Sequence, residues 1–115
     1  MALSEFESKR CERVVAQYVE RKRPPVSLRS EVDLSFRVLG QSVEIFEVRP
    51  HWQDRSKRIE VPVAKATFNR TGAGWKVFWR MSDLKWHTYQ PAPQVKTIEE
   101  FLALVEQDTH ACFHG

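Results

Sequence analysis

The run Asp83-Leu84-Lys85-Trp86-His87-Thr88-Tyr89 places a carboxylate, an ammonium, an imidazole and a phenol close together in sequence. These are the groups of general acid and base catalysis, and a histidine such as His87 changes charge near neutral pH. The spacing does not demand that chemistry. On a strand, Lys85, His87 and Tyr89 share one face with Asp83, while Leu84, Trp86 and Thr88 share the other, so a polar, partly exposed strand face accounts for the run. An enzyme or metal protein using Asp83, His87, Tyr89 and Cys112 is therefore an alternative reading, and no catalytic residue is assigned.

Just upstream, Trp75, Val77, Trp79 and Met81 share one parity, that of a face turned to the core. Lys76, Phe78 and Arg80 occupy the opposite parity as cation, ring, cation. That alternation resembles the stacking and phosphate contacts of nucleic-acid binders. A second basic-aromatic run, His51-Trp52-Gln53-Asp54-Arg55-Ser56-Lys57-Arg58, reads as a loop able to clamp phosphate or stack a base. Here Trp52 is expected to fold back over the sheet edge while the charges stay solvated. His110, Cys112 and His114 would point the same way if extended. Zinc takes four ligands, usually from separated pairs, and His87 or Cys11 would have to supply the fourth, so no metal or cofactor is expected. There is no phosphate-binding glycine loop, no Ser-His-Asp context and no pair of catalytic carboxylates.

The elements that must position these groups follow from periodicity. Apolar residues from Phe6 to Val19 recur at spacings of three and four, which predicts a helix from Ser4 to about Lys22, capped by Ser4 and stopped by Pro24-Pro25. Val32, Leu34, Phe36 and Val38 alternate with polar residues, predicting a strand, and Gly40-Gln41 turns the chain. From Ser42 to Arg49, Val43 and Ile45 conflict in parity with Phe46 and Val48, which predicts a bulge or burial on both faces. Ile59 to Phe68 forms the next strand, placed at an edge or paired on one side at Pro62. It makes a hairpin through Asn69 to Gly74 with the strand starting at Trp75. Leu84 to Tyr89 is a short fifth strand. Thr97 and Glu100 form a capping box for a helix with its apolar stripe at Ile98, Phe101, Leu102 and Val105. The expected fold is two-layer α+β, one domain over 1–115, with an antiparallel meander of four or five strands and both helices on one face. The other face is left at least partly in water.

Charge is distributed unevenly along the chain. Residues 1–96 carry 18 basic and 11 acidic groups, a net +7, whereas 97–115 carry Glu99, Glu100, Glu106 and Asp108 and nothing basic. A cationic body suggests an anionic partner. With 115 residues and two cysteines, Cys11 and Cys112, the chain needs no disulfide, and both are read as free thiols. No secretion signal or membrane-spanning stretch is evident, so a cytoplasmic protein without membrane contact is expected.

The segments Ile59-Glu60-Val61-Pro62-Val63-Ala64-Lys65, Trp75-Lys76-Val77-Phe78-Trp79, Asp83 to Pro91 and Cys112-Phe113-His114-Gly115 resemble a family of small bacterial proteins catalogued as domain of unknown function 3024. That resemblance implies a bacterial source, a cytoplasmic location and one self-contained domain, and it implies no activity. His114 departs from the aromatic that usually follows Cys-Phe in that family.

The leading reading is a non-enzymatic binding module. Its open sheet face and adjacent loop, through Lys65, Phe78, Arg80, Lys85, Trp86 and His87, with His51, Trp52 and Arg55 on the basic loop, contact nucleic acid or an acidic protein. A structural or interaction subunit is the third reading, for which an exposed Trp52 or Trp86 in an apolar patch is the expected sign.

Overall fold

The structure, a computed structural model, describes residues 3–69, 71–72, 74–108 and 113. Helix α1 (Glu5–Lys22) starts where Ser4 accepts the Glu7 amide and Glu7 in turn accepts the Ser4 amide, a complete capping box. It stops before Pro24-Pro25, and a short 3₁₀ turn (Val26–Leu28) leads into β1 (Asp33–Leu39). Strands β2 (Ser42–Pro50), β3 (Arg58–Asn69), β4 (Gly74–Arg80) and β5 (Trp86–Thr88) follow in meander order, all antiparallel. A two-residue strand, β6 (Gln94–Val95), was not foreseen. It pairs with β4 beside β5, so the two share one flank of that strand. Gly74 permits this approach, since a Cβ there would lie 2.5 Å from the Val95 carbonyl oxygen.

Helix α2 (Ile98–Gln107) is capped by Thr97, whose hydroxyl accepts the Glu100 amide at 3.1 Å. The reciprocal half of the expected box is absent: the Glu100 carboxylate accepts from the Lys96 amide instead, one residue earlier. Arg10 meets Glu99 and Lys22 meets Glu106, each at 2.5 Å, so the helices run side by side in the same direction. Two carboxylates of the acidic carboxyl-terminal segment are thus spent on cations of α1.

Both helices cover one sheet face. Val15 and Val19 of α1 and Phe101 and Val105 of α2 join Val43, Ile45, Ala64, Ala66, Trp75 and Val77 in one core. Trp75 is 6% exposed, and Trp79 packs half-buried against the same core. The register of β2 and β3 explains the parity conflict. Ile45 opposes Ala64 while Phe46 opposes Pro62, so β3 carries an extra residue at Val63, and Phe46 is buried outside the main core on the opposite face. Of the two expectations for β3, the edge placement is corrected, since it is the central strand, while pairing on one side only at Pro62 holds. Pro62 is tolerated there because β4 pairing begins only at Ala64, leaving its missing N–H opposite no partner strand.

Candidate functional site

On the face away from the helices, register lines up Arg37, Glu44, Lys65, Phe78 and Thr88 across the five strands. Arg80 opposes Trp86 in the next row. The Lys65 ammonium lies 4.9 Å from the Phe78 ring centroid and 5.1 Å from that of Trp86, and the Arg80 guanidinium lies 5.6 Å from Trp86. Four of the predicted site residues therefore form one cluster on three strands. Each such cation–ring contact stabilises by about 0.5–1 kcal/mol at an exposed site. It also holds the cations in place before any ligand arrives, which lowers the ordering cost of binding.

The electrostatics of this face divide at the centre of the sheet. In the β1–β2 half, Arg37 stacks 4.4 Å over Phe46 and meets the carboxylates of Glu44, at 3.9 Å, and Glu60. In the β3–β5 half, Lys65, Lys76 and Arg80 have no carboxylate within salt-bridge distance among the described residues, whereas Lys85 precedes β5 on the alternation of His87 and does not join them. Arg80 Nε is buried with no hydrogen-bond partner among the described residues. The Arg37–Phe46 pair escaped the sequence reading because it depends on the register of β1 against β2, which sets Arg37 diagonal to Phe46. The parity conflict at Phe46 was the one signal that pointed to it.

The remaining predicted residues lie elsewhere. His87 opposes Trp79, on the parity of the helix-covered face, so it does not join Lys65 and Trp86. Its Nε2 donates to Asp83 at 2.8 Å, and that bond, with the Lys85 amide, holds the Asp83 carboxyl below the usual carboxylate range. Asp83 also organises a turn in which Leu84 adopts φ +65°, which is why β5 begins at Trp86 rather than at Leu84. Tyr89, expected on a partly exposed face, is 2% exposed and packs on Phe113 with ring centroids 4.8 Å apart. The phenol is therefore not presented to solvent with the Asp83–His87 pair.

The expectation for Trp52 is also corrected, for it is 79% exposed. His51 Nδ1 accepts the amides of Gln53 and Asp54, which fixes its ring in the turn, and Trp52 stacks on that ring at 5.9 Å. Arg55 binds both carboxylate oxygens of Glu31 and Arg58 donates to the Ser30 carbonyl, so the hairpin tip is tethered to the α1–β1 connection rather than to the sheet. The cluster of His110, Cys112 and His114 lies outside the described residues. Among those described, no group of three or more His, Cys, Asp or Glu is arranged to hold a metal ion. Cys11 is a free thiol that burial pushes up to about 11.

The best-formed cleft, about 350 Å³, is remote from the cluster, between the ends of α1 and α2 and the strands β1 and β2. Its acids are already matched: Asp33 with Arg23, Glu47 with Arg49, and Glu106 with Lys22. Neither it nor four further clefts include Lys65, Phe78, Arg80, Trp86, Asp83, His87 or Tyr89. The cationic cluster lies outside these clefts, its half-buried side chains laid along the sheet face, an arrangement suited to an extended partner.

The family described as Domain of unknown function (DUF3024) matches residues 3–115. The chain belongs to that family. No curated protein and no solved structure matches it. Among the described residues of this DUF3024 chain, no helix is long and apolar enough to cross a membrane.

Proposed function

We propose that this DUF3024 protein is a non-enzymatic binding module that holds an anionic polymer, nucleic acid in the first instance, against the β3–β5 half of its open face. The supporting observation is that, among the described residues, Lys65, Lys76 and Arg80 lack carboxylate partners, whereas Arg37 on the same face has two. Lys65 and Arg80 already lie over the rings of Phe78 and Trp86. The rings therefore position charge for phosphate oxygens more than they offer bare faces to bases, and recognition is backbone-led and weakly dependent on sequence. His51, Trp52 and Arg55 lie on a separate, tethered hairpin and are left as a secondary contact. The bacterial, cytoplasmic setting implied by the family resemblance is part of this reading.

The test is a fluorescence-anisotropy titration of labelled single- and double-stranded oligonucleotides, with polyglutamate as a second polyanion. Association at low salt is expected, with log affinity falling against log salt at a slope of roughly −3 for about three to four phosphate contacts on duplex. Absence of association with either nucleic acid at low salt removes the nucleic-acid reading. Preference for polyglutamate assigns the face to an acidic protein instead.

A further inference from the structure

Arginines without acids are not confined to the open face. A cleft of about 510 Å³ lies between the last turns of α1, the connection that follows it and the starts of β1 and β3. Arg23, Arg29 and Arg58 line it together with two carboxylates, those of Glu20 and Asp33. Both acids go to one arginine. Arg23 donates through Nε and Nη2 to the two Asp33 oxygens at 3.0 and 2.9 Å, and through Nη1 to Glu20 at 3.3 Å. The Asp33 carboxyl is held low first by its hydrogen bond from Arg23 and only last by the charge of Arg29. Arg29 and Arg58 have no carboxylate within salt-bridge distance among the described residues.

These two unmatched guanidiniums are nonetheless held in place. Arg29 Nε donates to the Pro24 carbonyl at 3.0 Å, and Arg58 Nη1 donates to the Ser30 carbonyl at 2.7 Å. A carbonyl satisfies one N–H without cancelling the charge, and a guanidinium has several more N–H groups to offer a second acceptor. Both anchors belong to the one short connection between α1 and β1, which brings the two side chains to the same cleft. Arg29 is half-buried, where its charge is screened less than that of an exposed side chain. Two arginine forks fixed in advance lower the ordering cost of binding an oxyanion, and their planar geometry suits phosphate oxygens taken in pairs.

We infer that this cleft binds a small phosphomonoester, whose phosphate oxygens are taken by Arg29 and Arg58 while its organic part occupies the rest of the space. A phosphomonoester is close to a dianion at neutral pH, so it meets both unmatched charges, which a single carboxylate does not. The cleft is larger than a phosphate ion needs and falls within the range of small-molecule sites. None of Lys65, Phe78, Arg80 and Trp86 lines it, so the inference stands apart from the polyanion reading of the open face.

Isothermal titration calorimetry of the whole chain with glycerol monophosphate, inorganic phosphate and glycerol, at constant ionic strength, tests it. Saturable binding of glycerol monophosphate is expected, with inorganic phosphate weaker and glycerol not bound. Absence of saturable binding by glycerol monophosphate overturns the inference, and equal affinity for inorganic phosphate reassigns the cleft to the free ion. Arg29→Gln with Arg58→Gln is expected to lower the affinity at least about tenfold, and Lys65→Gln with Arg80→Gln to change it less than about twofold. The reverse pattern places the anion on the open face and refutes the assignment. Since Arg29 and Arg58 also hold the connection after α1, a ¹H–¹⁵N correlation spectrum of the unaltered chain provides a second readout. Glycerol monophosphate should shift the Arg29 Nε–H and the amides of Ser35 and Phe36, and shifts confined to other regions refute the site.

Discussion

The two halves of the open face use the same parts to opposite ends. Around Phe46, the Arg37 guanidinium lies flat on a buried ring and its charge is met by Glu44 and Glu60. Around Phe78 and Trp86, Lys65 and Arg80 lie on half-buried rings with no acid in reach among the described residues. A cation over an aromatic ring is therefore not by itself a binding signal. The absence of a local counter-charge separates an available cation from one committed to the fold.

That difference can be broken at several points. The largest effect is on stability: Phe46→Ala is expected to cost about 3 kcal/mol in urea unfolding, since it removes a buried ring, whereas Trp86→Ala costs roughly half as much. Equal losses would mean that the halves are not packed differently. Nearly as large is the effect on binding, where combined Lys65→Ala, Lys76→Ala and Arg80→Ala substitution lowers oligonucleotide affinity about a hundredfold at low salt and Arg37→Ala changes it less than twofold.

Next comes acid sensitivity. Hydrogen bonds from Arg23 hold the Asp33 carboxyl below its ordinary value. A depressed folded-state value means that the native chain binds this proton more weakly than the unfolded chain. The stability it contributes is present above the ordinary carboxylate value and is lost as pH falls through that value toward the depressed one. Asp33→Asn should remove this part of the acid-side decline, up to about 1 kcal/mol, measured as the pH dependence of the urea midpoint. Smallest is the gain from Glu44→Gln with Glu60→Gln, which releases Arg37 and should raise affinity about threefold while steepening the salt slope by about 0.9. An unchanged slope would mean that Arg37 cannot reach the ligand.

Much of the architecture was legible in the chain because local and tertiary preferences agree. Ser4 and Pro24-Pro25 delimit α1, and the alternation through Trp75 and Val77 marks the core face of β4. Legibility failed in the assignment of a face. His87 and Tyr89 share a side as alternation requires, but it is the helix-covered one, so Tyr89 goes to the core, and Leu84 in the left-handed region shortens β5. β6 is two residues long and depends on the close approach allowed at Gly74, which no periodicity reveals. Trp52 was assigned to the sheet edge because its indole is large and apolar, yet the hairpin satisfies its own polar groups through His51 and Arg55 and leaves the ring outside. Of the candidate site, Phe78 and Arg80 were readable from alternation. The missing acids beside them depended on where Glu44 and Glu60 fall across three strands.

The most direct measurement is a ¹H–¹⁵N correlation spectrum followed through an oligonucleotide titration at low salt. Shifts should concentrate at Lys65, Lys76, Phe78, Arg80 and the Trp86 indole, leaving Arg37, Phe46 and Glu60 unmoved. Shifts centred on Arg37 and Phe46, or on the helices, would contradict the assignment of the uncompensated half as the binding surface.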